Sequence, residues 1–79
     1  MLIGSMMREA REATRLTGPA VADACGVTHS AVYQWERGLT RPRAVSFARW
    51  LDAVGVPPDE RAHWWASLAD ATSAKEVEL

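Results

Sequence analysis

Between residues 28 and 43 the chain sets Thr28, His29, Ser30, Tyr33 and Gln34 close together and follows them with Arg37, Arg41 and Arg43. The first group offers hydroxyl, imidazole and amide atoms that donate and accept hydrogen bonds; the second offers permanent cations. Groups of the first kind read base edges, and groups of the second kind hold phosphates. A solvated surface helix would carry the same residue types, so the elements that position these residues have to separate the two readings.

Little else in the chain points to chemistry. Cys25 is the single cysteine, which leaves neither an intrachain disulfide nor a zinc cluster, and it reads as a small apolar core residue. His63 stands alone and reads as a partly exposed helix residue rather than a ligand. There is no pairing of nucleophile and base, no carboxylate dyad with a cleft, no Gly-rich phosphate loop and no metal spacing. The expectation is a protein that is not an enzyme and needs no cofactor, metal or small-molecule ligand.

The formal net charge of −1 argues against nucleic acid only until the chain is divided. Residues 1 to 50 hold seven arginines against Glu9, Glu12, Asp23 and Glu36, a balance of +3, whereas residues 51 to 79 hold Arg61 and Lys75 against six acids, a balance of −4. A positive face backed by an acidic end fits this asymmetry.

With 79 residues the chain makes one domain, which at this size buries only about 60 to 65% of its unfolded surface, so the core must be compact and a dimer would add stability. No apolar run approaches the roughly 18 residues of a membrane span. The start MLIGSMMREAREA lacks the basic and apolar regions of a signal peptide, so a cytoplasmic protein is expected.

Gly and Pro punctuate segments with helical spacing, and the expected fold is all-α, a compact bundle of five short helices. The first runs from about Gly4 to Arg15, with Met7, Ala10, Ala13 and Leu16 as its apolar stripe and Arg11 close to that stripe. Thr17 or Gly18 caps the second, Pro19 to Cys25, which stops at Gly26. Thr28 caps the third, Thr28 to Arg37, with Val32 and Trp35 inside and Gly38 as its stop. Ala44, Phe47, Trp50, Leu51 and Val54 mark the fourth, ending at Gly55. The fifth covers residues 58 to 71, with Asp59 and Glu60 in a first turn that suits the helix dipole. One domain over residues 1 to 71 and a flexible polar tail over 72 to 79 are expected.

The second and third segments, two short helices joined by a Gly turn, have the form of the helix-turn-helix unit that reads DNA. Val21, Ala22, Cys25, Val27, Val32 and Trp35 fall where such helices must touch each other and the core. Amphipathic helices of this kind also occur in many other proteins.

The run LTGPAVADACGVTHSAVYQWERGLTRP resembles the helix-turn-helix core of the lambda-type phage repressor and Cro family, also called the Xre family. Leu16-Thr17, Val21-Ala22, Gly26-Val27-Thr28, Trp35-Glu36-Arg37-Gly38 and Pro42 carry the similarity without a gap, and it extends over roughly residues 3 to 56. The resemblance implies a bacterial or phage transcriptional regulator, a Cro-like repressor. It would bind double-stranded DNA as a homodimer, reading a pseudo-palindromic operator with its third helix in the major groove. It further implies a structural bridge between Arg11 and Glu36. His29, Ser30 and Gln34 would be base readers with Tyr33 on their flank, and Ala31 or Val32 would approach a thymine methyl. Phosphate contacts are implied for Thr28, Arg37, Arg41 and Arg43, with the stem of Arg37 alternatively packed on Trp35. The chain departs from the family at Gly18-Pro19, where many relatives carry an anchoring Gln. Backbone amides from Gly18 onward still attract a phosphate there, with one donor removed by Pro19.

Trp64 and Trp65 lie on different faces of the fifth helix. Trp65 is expected to share a face with Leu68 and dock on the core, and Trp64 to stay exposed. Together Trp64, Trp65 and Leu68 mark a candidate dimer or partner surface. The alternative function is an antitoxin-like module in which the C-terminal helix and the tail grip another protein and DNA binding is secondary.

Overall fold

The computed structural model describes the backbone of residues 3–78 and the side chains of residues 3–69. Five helices, α1 (Ile3–Ala13), α2 (Gly18–Cys25), α3 (His29–Glu36), α4 (Ala44–Val54) and α5 (Pro58–Glu78), follow one another, with no strand among the described residues. α2 packs against α3 and α4, and α1 packs against α3 and α5. No described helix is long and apolar enough to cross a membrane.

Four of the helices end in the same way. After α2 the chain turns left-handed at Gly26 (φ 71°), the Gly26 N–H donates to the Asp23 carbonyl at 3.2 Å, and the Val27 N–H reaches back to the Ala22 carbonyl at 3.0 Å. This doubled bond satisfies carbonyls that the helix end would leave open, and glycine enters it without steric cost. Gly38 and Gly55 close α3 and α4 with the same pair of bonds. α1 uses the motif too, with Arg15 as its left-handed residue (φ 61°), so that Arg15 N–H bonds Glu12 and Leu16 N–H bonds Arg11. The helix therefore stops at Ala13 and not at the expected Arg15, because Arg15 itself takes the left-handed turn, at a position with no glycine to announce it.

A left-handed L-residue costs roughly 1–2 kcal/mol, partly offset in any glycine replacement by the greater entropy of an unfolded glycine. Arg15→Gly is thus expected to stabilise the domain by about 0.5 kcal/mol, read as a higher urea midpoint. An unchanged or lower midpoint would mean that Arg15 makes compensating contacts.

The core is formed by Ile3, Met7, Val21, Ala22, Cys25, Val32, Trp35, Phe47, Trp50, Leu51, Val54, Val56, Trp64 and Leu68. At its centre lies an aromatic group: Trp50 and Phe47 are parallel with centroids 5.9 Å apart, Trp64 lies 5.2 Å from Trp50, and Trp65 meets Phe47 edge-on at 4.9 Å. The expected division of the two tryptophans is therefore reversed. Trp64 is buried to 9% exposure, and Trp65 is the half-buried one. The physical reason is the breadth of the aromatic face that α4 presents: two indoles about 100° apart on one helix can both reach it. Leu68 is buried in the same core, so Trp64 and Leu68 are not an open surface for a second molecule.

α5 continues helically to Glu78, past the expected end at Ala71. The side chains of the expected polar tail, 72 to 79, lie outside the described residues. Asp52 and Arg61 tie α4 to α5 across the intervening turn, with Arg61 Nη1 at 2.7 Å from Asp52 Oδ1 and Nε donating to the Val56 carbonyl at 2.9 Å.

Candidate nucleic-acid interface

α3 is positioned by its two ends and its inner side. At the start, Thr28 is extended (ψ 159°) and its Oγ1 accepts the Ala31 N–H at 3.1 Å; α2 begins likewise with Thr17 Oγ1 accepting from Ala20 at 3.2 Å. Such caps each contribute about 1 kcal/mol. Val32 and Trp35 are buried, which turns His29, Ser30 and Tyr33 outward and leaves Gln34 half-buried. At the end, the Gln34 carbonyl accepts the Leu39 N–H at 2.9 Å and fixes where the following loop departs. Of the two residues considered for a thymine methyl, Val32 is 1% exposed and is excluded by that burial, whereas Ala31 stays half-buried.

Arg11 joins α1 to α3. Its Nε donates to Glu36 Oε2 at 2.6 Å and its Nη2 to Glu36 Oε1 at 3.0 Å, while Nη1 donates to the Leu16 carbonyl at 2.9 Å. The forked geometry matches a carboxylate on both nitrogens. The bond to Glu36 holds the guanidinium above its ordinary range, against the opposing effect of burial.

This pairing also shapes the surface potential. Glu36 is the one acid between Ala24 and Leu51, a stretch that holds Arg37, Arg41, Arg43 and Arg49. Because Glu36 is engaged by Arg11 from the inside, it is not available to neutralise those arginines. Arg41 and Arg43 are exposed and make no ion pair among the described residues. Arg43 is the N-cap of α4 and supplies no capping bond. The Arg37 guanidinium turns to Tyr33: its Nη1 donates to the Tyr33 hydroxyl at 2.8 Å, and its Cζ lies 5.1 Å from the centre of the Tyr33 ring.

Between the start of α2 and the outer side of α3 lies an open cleft of about 210 Å³ lined by Gly18, Pro19, His29, Val32 and Tyr33, with Arg11 and Glu36 also on its wall. A Cβ placed on Gly18 would meet nothing within 4 Å. The Gly18-Pro19 departure therefore leaves open space at the helix end where a glutamine was expected.

Two positions escaped the sequence reading. Arg49, on α4, donates from Nη1 to the Cys25 carbonyl at 3.3 Å and so braces the turn between α2 and α3. Gly4, in the first turn of α1, is buried against α3: a Cβ there would overlap the Trp35 carbonyl oxygen and lie 2.8 Å from that of Glu36. A glycine inside a helical pattern is a usable signal for such close approach, but it does not name the neighbour. Cys25 is 1% exposed, and burial pushes its thiol up while the charge of Arg49 opposes the shift. Its placement is that of a core residue.

Taken together, α2 and the Gly26 turn hold α3 with its polar residues outward and unpaired arginines beyond its C-terminal end, an arrangement suited to entering a groove and gripping its backbone. No curated protein and no solved structure matches the chain significantly. A family model described as a helix-turn-helix domain matches residues 2–64, four-fifths of the chain. The chain belongs to this family of helix-turn-helix domains.

Proposed function

We propose that this protein is a sequence-specific transcriptional regulator of the Cro/Xre kind, a cytoplasmic repressor that places α3 in the major groove of an operator. His29, Ser30 and Gln34 read base edges, Gln34 through its paired donor and acceptor toward adenine. Arg41 and Arg43, together with Thr28 and the Gly18 end of α2, contact phosphates. The observation that carries this reading is the outward row on α3 beside arginines whose one neighbouring acid is bound internally by Arg11. Two copies on a pseudo-palindrome would place their recognition helices about 34 Å apart. The antitoxin-like alternative, in which α5 and the tail grip a partner protein, loses Trp64 as a contact, since that ring is buried against Trp50.

Selection of bound sites from a random DNA pool, followed by footprinting, tests the reading, since the symmetry and length of the operator report specificity and stoichiometry together. On the selected site Gln34→Ala is expected to lower affinity by about 1–3 kcal/mol and to change base preference. Arg41→Ala should weaken all sequences alike and flatten the salt dependence by about one unit of slope. If both variants bind every probe as the parent does, the assignment of α3 as the reading helix is wrong.

A further inference from the structure

We propose that Tyr33 serves DNA binding as a positioning residue for Arg37, holding that guanidinium ready for a backbone phosphate, and does not itself read bases. The inference rests on the DNA-binding reading above and revises the part of Tyr33 within it.

Residues 33 and 37 are one helical turn apart and share a face. Arg37 is the C-cap of α3, so its side chain leaves from the point where the helix ceases to constrain it. A long exposed side chain there would sample many rotamers and would have to be ordered anew on each encounter with DNA. Tyr33 supplies two restraints: its hydroxyl accepts from Arg37 Nη1 at 2.8 Å, and its ring lies under the cation at 5.1 Å. Tyr33 is 57% exposed, so the ring is not held outward by core packing. A carboxylate could compete for Arg37, but the adjacent Glu36 is taken by both Nε and Nη2 of Arg11. The guanidinium retains donors beyond the one given to Tyr33, and these face an anion from a fixed starting position. Arg37 leaves from the C-terminal end of α3, away from the N-terminal residues His29 and Ser30 that point to base edges.

The test uses the full chain and a mixed-sequence duplex of about 20 base pairs, long enough to cover two half-sites one helical turn apart. Tyr33→Phe keeps the ring and removes the hydroxyl; it is expected to weaken binding about two- to five-fold, the lower part of the range for one hydrogen bond, while selection from a random pool returns the same base preference. The double variant Tyr33→Phe/Arg37→Ala should bind no more weakly than Arg37→Ala alone, because the hydroxyl acts only through the arginine. In the free protein, the ¹⁵N order parameter of Arg37 Nε should fall in Tyr33→Phe. Additive losses in the double variant, an altered base preference, or an unchanged order parameter would each overturn the proposal. Parent-like binding of both Arg41→Ala and Arg37→Ala would instead overturn the DNA reading, and the order parameter would still decide the restraint of Arg37 by Tyr33.

Discussion

Arg11→Ala is expected to destabilise the domain by about 3 kcal/mol, no more than the lower end of the range for removing one partner of a buried ion pair, because Arg11 and Glu36 are only partly buried. The substitution leaves the Glu36 side chain, 9% exposed, without either of its two guanidinium donors, and leaves the Leu16 carbonyl without its guanidinium donor. Most of the cost is the stranded carboxylate, not the lost attraction, and that predicts a particular pattern. Removing both charges with Arg11→Met/Glu36→Leu should cost less than Arg11→Ala alone, because well-packed apolar groups do not strand an ion. Arg11→Lys should not rescue, since a point cation cannot engage both carboxylate oxygens and the Leu16 carbonyl together. In a domain of this size the loss corresponds to a drop in Tm of roughly 12 to 24 °C, readable by circular dichroism, with urea titration supplying the free energy. A variant melting within a few degrees of the parent would show that water solvates Glu36 adequately once Arg11 is gone.

The second large effect reverses an ordinary rule. On an exposed helix, Gly→Ala stabilises by about 1 kcal/mol. At Gly4 the same change is expected to destabilise by about 3 kcal/mol, the upper end of the range for overpacking. The added methyl would lie 2.8 Å from the Glu36 carbonyl oxygen and overlap that of Trp35, and these are backbone atoms at the end of α3 which cannot swing aside as a flexible side chain would. α1 would have to lift from α3, carrying Arg11 away from Glu36. Gly4→Ala should accordingly also remove much of the further cost of Arg11→Ala, a coupling that a double-mutant cycle measures directly. Stabilisation by Gly4→Ala would mean that α1 is not seated against the end of α3.

Much of the architecture was legible because local rules are strong where they act. Thr17 and Thr28 begin helices since their hydroxyls accept free N–H groups three residues on, and Gly26, Gly38 and Gly55 end them since each takes a left-handed turn. Arg15 shows the limit of that reasoning. The same turn forms there from its hydrogen bonds, with no glycine to advertise it. The bridge between Arg11 and Glu36 came from likeness to a family, and no spacing rule would have paired residues 25 positions apart. For the two tryptophans, spacing along α5 gives directions around one axis but not the width of the surface that the axis meets.

By itself, then, the sequence determined five helices, the threonine caps of α2 and α3, the glycine stops of α2, α3 and α4, the inward side of α2 and α3, and the concentration of arginine around residues 37 to 49, all properties set by neighbours a few residues apart or by composition. Only the tertiary structure decided that α1 touches α3 closely enough to require Gly4, that Trp64 is more deeply buried than Trp65, that Arg49 braces the Gly26 turn, and that Glu36 is drawn inward from the arginines beside it. Those outcomes depend on how helix axes cross and how far side chains reach between them. Such distances join residues remote in the chain, and they become definite only when the core closes.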